Sequence, residues 1–237
     1  NKDVNIQTSL PHTGPWRVII IARNPKNFRE TALLKNLSRQ NQITNTSWIR
    51  PGRILRANWH HLEFPNGPLK QADNSKPAHR ILSGISAMEY HIDFAHKNNY
   101  SHLLIDAESY LSRQIDQPGP WQPDFLSRLA SLDALANIRQ IIRHAAGKDV
   151  GIFLSVNPDS LRNHLKQYLD IYAGMNIAGI KCSNFKSHNQ KTIEFVNTLC
   201  AEAAKRKTLL TFDHVLNHTG ISRTWPNVIP GELPTPD

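Results

Sequence analysis

Cysteine is scarce in this chain, which limits both disulfide and metal chemistry. The sequence has two cysteines in 237 residues, Cys182 and Cys200, whereas a disulfide framework has more of them in a smaller chain. Neither has a Cys or His partner at the spacing of a zinc site. We therefore expect two buried free thiols, one on a core strand and one on the following helix. A nucleophilic role for Cys182, near a strand end, is the alternative.

Long apolar runs are also missing. No stretch of about 18 apolar residues occurs in the sequence, so we expect no membrane-spanning helix and no membrane partner. Residues 1–12 are polar and contain no apolar core of the kind a signal peptide has.

Acidic residues are outnumbered by basic ones, 19 to 28, which gives a net charge of +9. Such an excess favours anionic partners such as nucleic acid. No run of five or six basic residues is present, however, so scattered surface charge explains the excess better, and nucleic acid is not the expected partner. The densest basic cluster, 205–207, falls at the end of a predicted helix, where cations are favourable.

Short apolar strands alternate with amphipathic helices along most of the chain. This order predicts an α/β fold with a parallel sheet and crossover helices, a (β/α)8 TIM-barrel type. Only about six strand–helix units fit, against the eight of a closed barrel, so the barrel is expected to be incomplete at its C-terminus. The predicted strands are Ile54–Trp59, His102–Asp106, Val150–Val156, Ala178–Cys182, Thr208–Phe212 and Asn227–Ile229. The predicted helices are Ser83–Asn98, Phe125–Ala146, Leu161–Ala173 and Gln190–Lys205, and residues 62–80 are predicted to form a long loop.

Four blocks of sequence carry a family resemblance. Thr46–Arg53 reads TSWIRPGR, and Tyr90–Ala95 reads YHIDFA before the LID that ends the second predicted strand. Gly179–Lys181 reads GIK and leads to a helix that begins QKTIEF, and Thr219–Asn227 reads TGISRTWPN. Together these blocks resemble glycoside hydrolase family 97, and the resemblance covers roughly residues 15–232.

The resemblance implies a catalytic barrel that hydrolyses α-glucosides or α-galactosides, with an oligosaccharide or α-glycoside as its substrate. It also implies a bacterial protein, periplasmic or secreted, with a calcium ion near the active site and flanking β domains. On this basis, residues 1–45 are expected to be a remnant of an N-terminal β domain and its linker, and residues 46–237 the barrel.

The acidic residues near the predicted strand ends are the candidate catalytic groups. Glycoside hydrolysis needs two carboxyl groups that flank the scissile bond. The resemblance aligns Ser183 with the nucleophile of retaining members, Ala107 with a strand-end Glu and His214 with the Glu base of inverting members. A carboxylate at 213 is one residue out of register with that base, and side chains alternate along a strand. The expected catalytic set is Asp106, Glu108, Asp213 and Glu232.

Polar and aromatic residues near the same strand ends are expected to bind substrate: Trp59, Lys181, Ser183, Asn184 and His214. Trp59 is a candidate to stack on a sugar face or to pack in the core, and Asp106 is a candidate sugar ligand or an acceptor for backbone N–H groups. Glu232 matches a calcium ligand of inverting members. Calcium takes six to eight oxygen ligands, and most of the family's calcium ligands are not matched.

The residues at the nucleophile and base positions, Ser183, Ala107 and His214, lead us to expect weak hydrolytic activity or none. A catalytically inactive carbohydrate-binding protein that keeps the cleft is the first alternative. A basic nucleic-acid-binding domain, which rests on the net charge, is the second.

Overall fold

The computed structural model describes residues 8–11, 19–30, 33–57, 63–65, 79–81, 85–106, 132–183, 185, 189–213 and 220–229. Its strands are β1 (Ile54–Arg56), β2 (Glu63–Pro65), β3 (His79–Ile81), β4 (His102–Asp106), β5 (Gly151–Val156), β6 (Gly179–Cys182) and β7 (Leu209–Phe212). Its helices are α1 (Pro25–Glu30), α2 (Leu33–Leu37), α3 (Ile85–Lys97), α4 (Leu132–Gly147), α5 (Pro158–Arg162), α6 (Leu165–Gly174), α7 (Gln190–Lys205) and α8 (Ile221–Thr224).

Five strands form one parallel sheet in the order β1, β4, β5, β6, β7. Helices α3, α4, α6 and α7 lie between successive strands as crossovers, as parallel pairing requires. Beyond β7, Val228 forms a parallel bridge with Leu210, at the position of the last predicted strand. The predicted α/β architecture of barrel type is therefore confirmed.

Side chains alternate along each strand, so the sheet has two faces, and each face contributes to a different apolar cluster. The outer face packs against the crossover helices; for example, Leu103, Ile152 and Ile180 share one buried cluster with Ile92 and Leu199. The inner face carries a smaller cluster on which Trp48, Ile49 and Ile54 pack; its buried members are Leu104, Phe153, Leu209 and Ile229.

Position 179, on the inner face of the sheet, has space only for a glycine. A Cβ at this position would lie 2.4 Å from the ring of Phe153 and 2.9 Å from the backbone oxygen of Leu209. The close approach of β6 to its neighbours therefore depends on this glycine.

Side-chain caps fix where two of the helices begin. Asn189 accepts a hydrogen bond from the backbone N–H of Thr192 at 3.1 Å, and α7 begins at the next residue. Asn157 caps α5 in the same way, with Pro158 in the first turn. The prediction of one helix over Leu161–Ala173 is therefore wrong, since this early Asn–Pro start gives a separate short helix, α5, before α6.

Helices α6 and α7 are joined by a charge network at their outer surface. Arg206 bonds to Asp170 at 2.6 Å and to Glu202 at 2.8 Å, and Lys205 bonds to Glu202 at 2.6 Å. The hydrogen bonds from Lys205 and then from Arg206 lower the pKa of the Glu202 carboxyl to about 2.

Residues 62–80 are only partly the loop that the sequence predicts. Glu63–Pro65 and His79–Ile81 pair as a two-stranded antiparallel sheet, so the prediction missed these two short strands. The run Glu63-Phe64-Pro65 is too short for an alternation pattern, and its proline argues against a strand in sequence. No described helix combines the length and apolar character needed to cross a bilayer.

Candidate functional site

The carboxyl ends of four adjacent strands lie along one edge of the sheet. Asp106 is the last residue of β4, and Asn157, Ser183 and Asp213 directly follow β5, β6 and β7. Parallel α/β barrels hold their chemistry at this edge. The sheet therefore brings the strand-end residues of the sequence analysis to one region of the fold.

Lys181 and Asp213 form an ion pair at this edge. The Lys181 ammonium lies 3.1 Å from a carboxylate oxygen of Asp213, and the two side chains are 7% and 23% exposed. Burial of a lysine without a counter-charge is costly. The carboxylate of Asp213 therefore stabilises the buried ammonium, while part of its own surface faces solvent.

Asp213 lies on the inner face of the sheet together with Lys181. Leu209 belongs to the inner cluster, so Thr211 and Asp213 follow on the same face by alternation. The backbone N–H of Asp213 donates to the carbonyl of Cys182 at 3.2 Å, which extends the strand pairing by one residue. The one-residue offset seen in the sequence therefore does not turn this carboxylate away from the site.

Two hydroxyl residues flank Lys181 in the neighbouring strands. Ser155 of β5 and Thr211 of β7 are its register partners. Thr211 is 3% exposed, and its hydroxyl oxygen has no hydrogen-bond partner among the described residues. Thr211 is not among the predicted site residues, although its spacing of two from both Leu209 and Asp213 is the signal that places it on the inner face.

The two cysteines lie in the outer core, away from the site. Cys182 and Cys200 are both free and fully buried in the cluster between sheet and helices, as the sequence predicts. Burial raises the pKa of the Cys182 thiol far above its usual range, and it raises that of Cys200 to about 12. The alternative of a nucleophilic Cys182 is therefore wrong, since its thiol is fully buried and burial disfavours the thiolate.

Several predicted site residues are described only in part or lie outside the described residues. Asp106 ends β4 in register with Ser155, two residues after Leu104 of the inner cluster. Ser183 follows β6 and is half-buried. Outside the described residues lie Trp59, Ala107, Glu108, Asn184, His214 and Glu232, and the roles expected of them stay predictions.

The calcium ion that the family resemblance implies stays a prediction. No group of three or more His, Cys, Asp or Glu side chains in the described part of the chain is arranged to hold a metal. Asp213, the carboxylate nearest to such a role, is engaged by Lys181. The expected calcium ligand Glu232 lies beyond the last described residue.

The TGISRTWPN block makes structural hydrogen bonds next to β7. Asn227 is fully buried, and its side-chain amide donates to the carbonyl of Thr208 at 3.2 Å and to that of Cys200 at 3.4 Å. The Thr224 hydroxyl donates to the carbonyl of Arg39 at 3.0 Å. The block therefore anchors residues 225–229 beside β7 and joins the segment before β1 to the sheet.

Residues 69–233 match the family model described as Glycoside hydrolase 97. The chain is 22% identical over 231 residues to a retaining alpha-galactosidase of Bacteroides thetaiotaomicron, with 97% of this chain and 31% of that protein aligned. It is 24% identical over 217 residues to a probable retaining alpha-galactosidase of Streptomyces bingchenggensis, with 91% and 30% aligned. The chain thus spans about a third of the length of these curated relatives.

Solved structures support the same fold. A glycoside hydrolase family 97 enzyme in complex with acarbose, from Pseudoalteromonas sp. strain K8, superposes with a TM-score of 0.57 at 16% identity, covering 83% of this chain and 31% of that one. A beta-arabinopyranosidase gives the same TM-score and identity, covering 84% and 28%. At this level of identity, the likeness concerns the fold of the barrel.

Proposed function

The chain belongs to glycoside hydrolase family 97, and we propose that its strand-end cleft binds α-galactosides or α-glucosides and hydrolyses them slowly. The observation that carries the proposal is the Lys181–Asp213 ion pair on the inner face, at the edge where barrel enzymes bind their substrates. The two curated relatives are named as retaining alpha-galactosidases, which supports an α-galactoside as the first substrate to try.

Lys181 and Asp213 offer complementary contacts to a sugar. The ammonium of Lys181 is a donor, and the carboxylate of Asp213 is an acceptor with part of its surface exposed. Vicinal hydroxyl groups of a pyranose match such a pair, because each hydroxyl both donates and accepts. The hydroxyl of Ser183, which directly follows the strand that carries Lys181, adds a neutral hydrogen-bonding group.

Hydrolysis requires a second carboxyl group besides Asp213. One carboxyl group protonates the leaving oxygen, and the other supports the positive charge that develops on the sugar ring. Asp106, Glu108 and Glu232 are the other proposed members of the acidic set. Ser183 cannot supply negative charge at its position, and Lys181 neutralises much of the charge of Asp213; both facts support slow turnover.

A carbohydrate-binding protein without turnover is the second candidate. The observation that favours it is again the ion pair, since the Asp213 carboxylate is already engaged at 3.1 Å by the buried ammonium of Lys181. In that case, the cleft keeps its sugar contacts and lacks an effective catalytic pair.

Hydrolysis of 4-nitrophenyl α-galactoside and α-glucoside tests the proposal, together with calorimetric titration of galactose and glucose. We expect slow release of nitrophenol that Asp213→Asn abolishes. Asp170→Asn, on the outer surface of α6, is the control and should leave the rate unchanged. Sugar binding without nitrophenol release would favour the second candidate, and the absence of both would overturn the proposal.

A further inference from the structure

A cavity opens at the amino end of the sheet, where the strands begin, opposite the edge that holds Lys181 and Asp213. It has a volume of about 860 Å³, within the range of about 300–1,000 Å³ typical of small-ligand pockets. Its walls come from the residues that precede or start β1, β4, β5, β6 and β7 and from the last turns of α3 and α4. We call it the amino-end cavity.

The charged lining of the amino-end cavity is mostly cationic. Arg50, Arg143, Lys148 and Lys207 line it, against one carboxylate, Asp149. Arg50 pairs with Asp149 at 3.3 Å, and Lys148 pairs with Asp93, outside the lining, at 3.4 Å. A concave surface with a net charge of one sign raises the local concentration of ions of the other sign.

Two of these cations have no carboxylate partner within the described part of the chain. Arg143 donates from Nε to the carbonyl of Arg139 at 3.3 Å, which leaves the rest of its guanidinium available. Lys207 has no ion pair with any described residue. An arginine fork and a lysine together suit the oxygens of a phosphate or sulfate group.

The left-handed backbone conformation of Lys207 is a separate observation in favour of a binding role for its side chain. Four turns lead from a helix into a strand at this end of the sheet, and each holds one non-glycine residue with positive φ: Asn99, Asp149, Asn176 and Lys207, at 55°, 53°, 58° and 54°. Asn and Asp tolerate this left-handed conformation better than other L residues. All four residues line the cavity, and Lys207 alone among them carries a long cationic side chain there at a conformational cost.

Compensation of helix dipoles accounts for only part of this charge. Lys148 and Lys207 follow the ends of α4 and α7, where cations offset the exposed carbonyl groups. Asp149 offsets the charge of Arg50, and α7 already carries Lys205 in its last turn, so Lys207 is a further cation at that helix end. Positive charge therefore exceeds what the neighbouring helix ends require.

We propose that the amino-end cavity binds a small tetrahedral oxyanion, a phosphate or sulfate group, with Arg143 and Lys207 as its principal cations. The group is either a free ion or the substituent of a sugar. This site lies at the amino ends of the strands, so it does not depend on the sugar contacts proposed at their carboxyl ends.

Calorimetric titration of the full chain with inorganic phosphate, sulfate, galactose 6-phosphate and galactose tests the proposal. We expect both inorganic ions to bind and galactose not to compete with them; tighter binding of the sugar phosphate would identify a sugar substituent as the natural source. Because a lost charge-assisted hydrogen bond weakens binding by about tenfold, Lys207→Asn should reduce phosphate affinity by about that factor.

Lys207→Asn is a suitable test variant because the other three turns hold Asn or Asp in the same conformation, so the variant should fold at least as well as the wild type. Lys207→Arg should retain binding. Arg139→Gln, which removes an equal charge from an exposed position outside the cavity, is the matched control. Equal effects of Lys207→Asn and Arg139→Gln, or no phosphate binding by the wild type, would show that these cations only compensate helix ends and would overturn the proposal.

Discussion

Replacement of Asp213 by Asn should destabilise the fold, because it leaves the buried ammonium of Lys181 without its counter-charge. Only 7% of the Lys181 side chain is exposed, and its nitrogen lies 3.1 Å from the carboxylate. Two unit charges at this distance attract each other by about 5 kcal/mol at an effective dielectric constant of about 20. Desolvation of both groups opposes this attraction, and water reaches the quarter-exposed Asp213, so we expect Asp213→Asn to lower the free energy of unfolding by about 2–3 kcal/mol.

A double-mutant cycle measured by urea unfolding at neutral pH separates the ion pair from other effects of the substitutions. Its members are the wild type, Asp213→Asn, Lys181→Met and the double variant. The double variant leaves neither charge unpaired, so it should be less destabilised than the sum of the single variants. We expect a coupling free energy of about 2 kcal/mol.

The surface pair of Arg50 and Asp149 is the matched control. Its atoms lie 3.3 Å apart, but its side chains are 77% and 91% exposed. The same cycle there should give a coupling below about 1 kcal/mol. A coupling between Lys181 and Asp213 no larger than that of the surface pair would show that burial does not strengthen the ion pair.

Three further predictions concern the fold. Gly179→Ala should lower the free energy of unfolding by about 2 kcal/mol or more, because its Cβ would overlap the ring of Phe153; Gly147→Ala, where no atom lies within 4 Å of an added Cβ, should change it by less than about 1 kcal/mol in urea unfolding. The pKa of Glu202 in the folded chain is about 2, against an ordinary value of 4.5. Its contribution to stability is therefore complete above about pH 4.5 and is lost as the pH falls toward 2. Glu202→Gln should flatten this part of the plot of unfolding free energy against pH, and an unchanged slope would contradict the role of Glu202. Both cysteine thiols should resist a thiol reagent in the native protein and react after unfolding in urea; rapid reaction of the folded chain would contradict their burial.

Much of the fold is predictable from the sequence, because apolar periodicity and helix caps lie within single strands and helices. The predicted bounds of His102–Asp106 and Gln190–Lys205 agree with β4 and α7 as observed. The first is an apolar strand of the sheet interior, and the second is an amphipathic helix with an Asn cap. Leu161–Ala173 was predicted less well, because the Asn157–Pro158 start of α5 competes with the longer helical pattern.

The contacts of the candidate site could not be predicted from the sequence, and the membership of the site stays a prediction. Lys181 and Asp213 were each chosen from the sequence, but their ion pair depends on the register between β6 and β7, which no local pattern encodes. Thr211 was missed because threonine in a strand has no chemical signature of its own. The amino-end cavity was missed for a similar reason, since its cations come from turns that only the sheet brings together.

The ion pair of Asp213 with Lys181 bears on the proposed hydrolysis. A catalytic base or nucleophile needs a carboxylate that is free to take a proton or to attack a sugar carbon. Here, the carboxylate on the inner face is paired with a buried ammonium, and the neutral Ser183 follows the neighbouring strand. Under the proposed function, a sugar hydroxyl would donate to Asp213 while the ion pair stays intact. Proton transfer to Asp213 would instead remove the counter-charge from Lys181. The same contact that would hold a sugar in the cleft thus raises the barrier to its hydrolysis, which is why binding should survive at this site more readily than turnover.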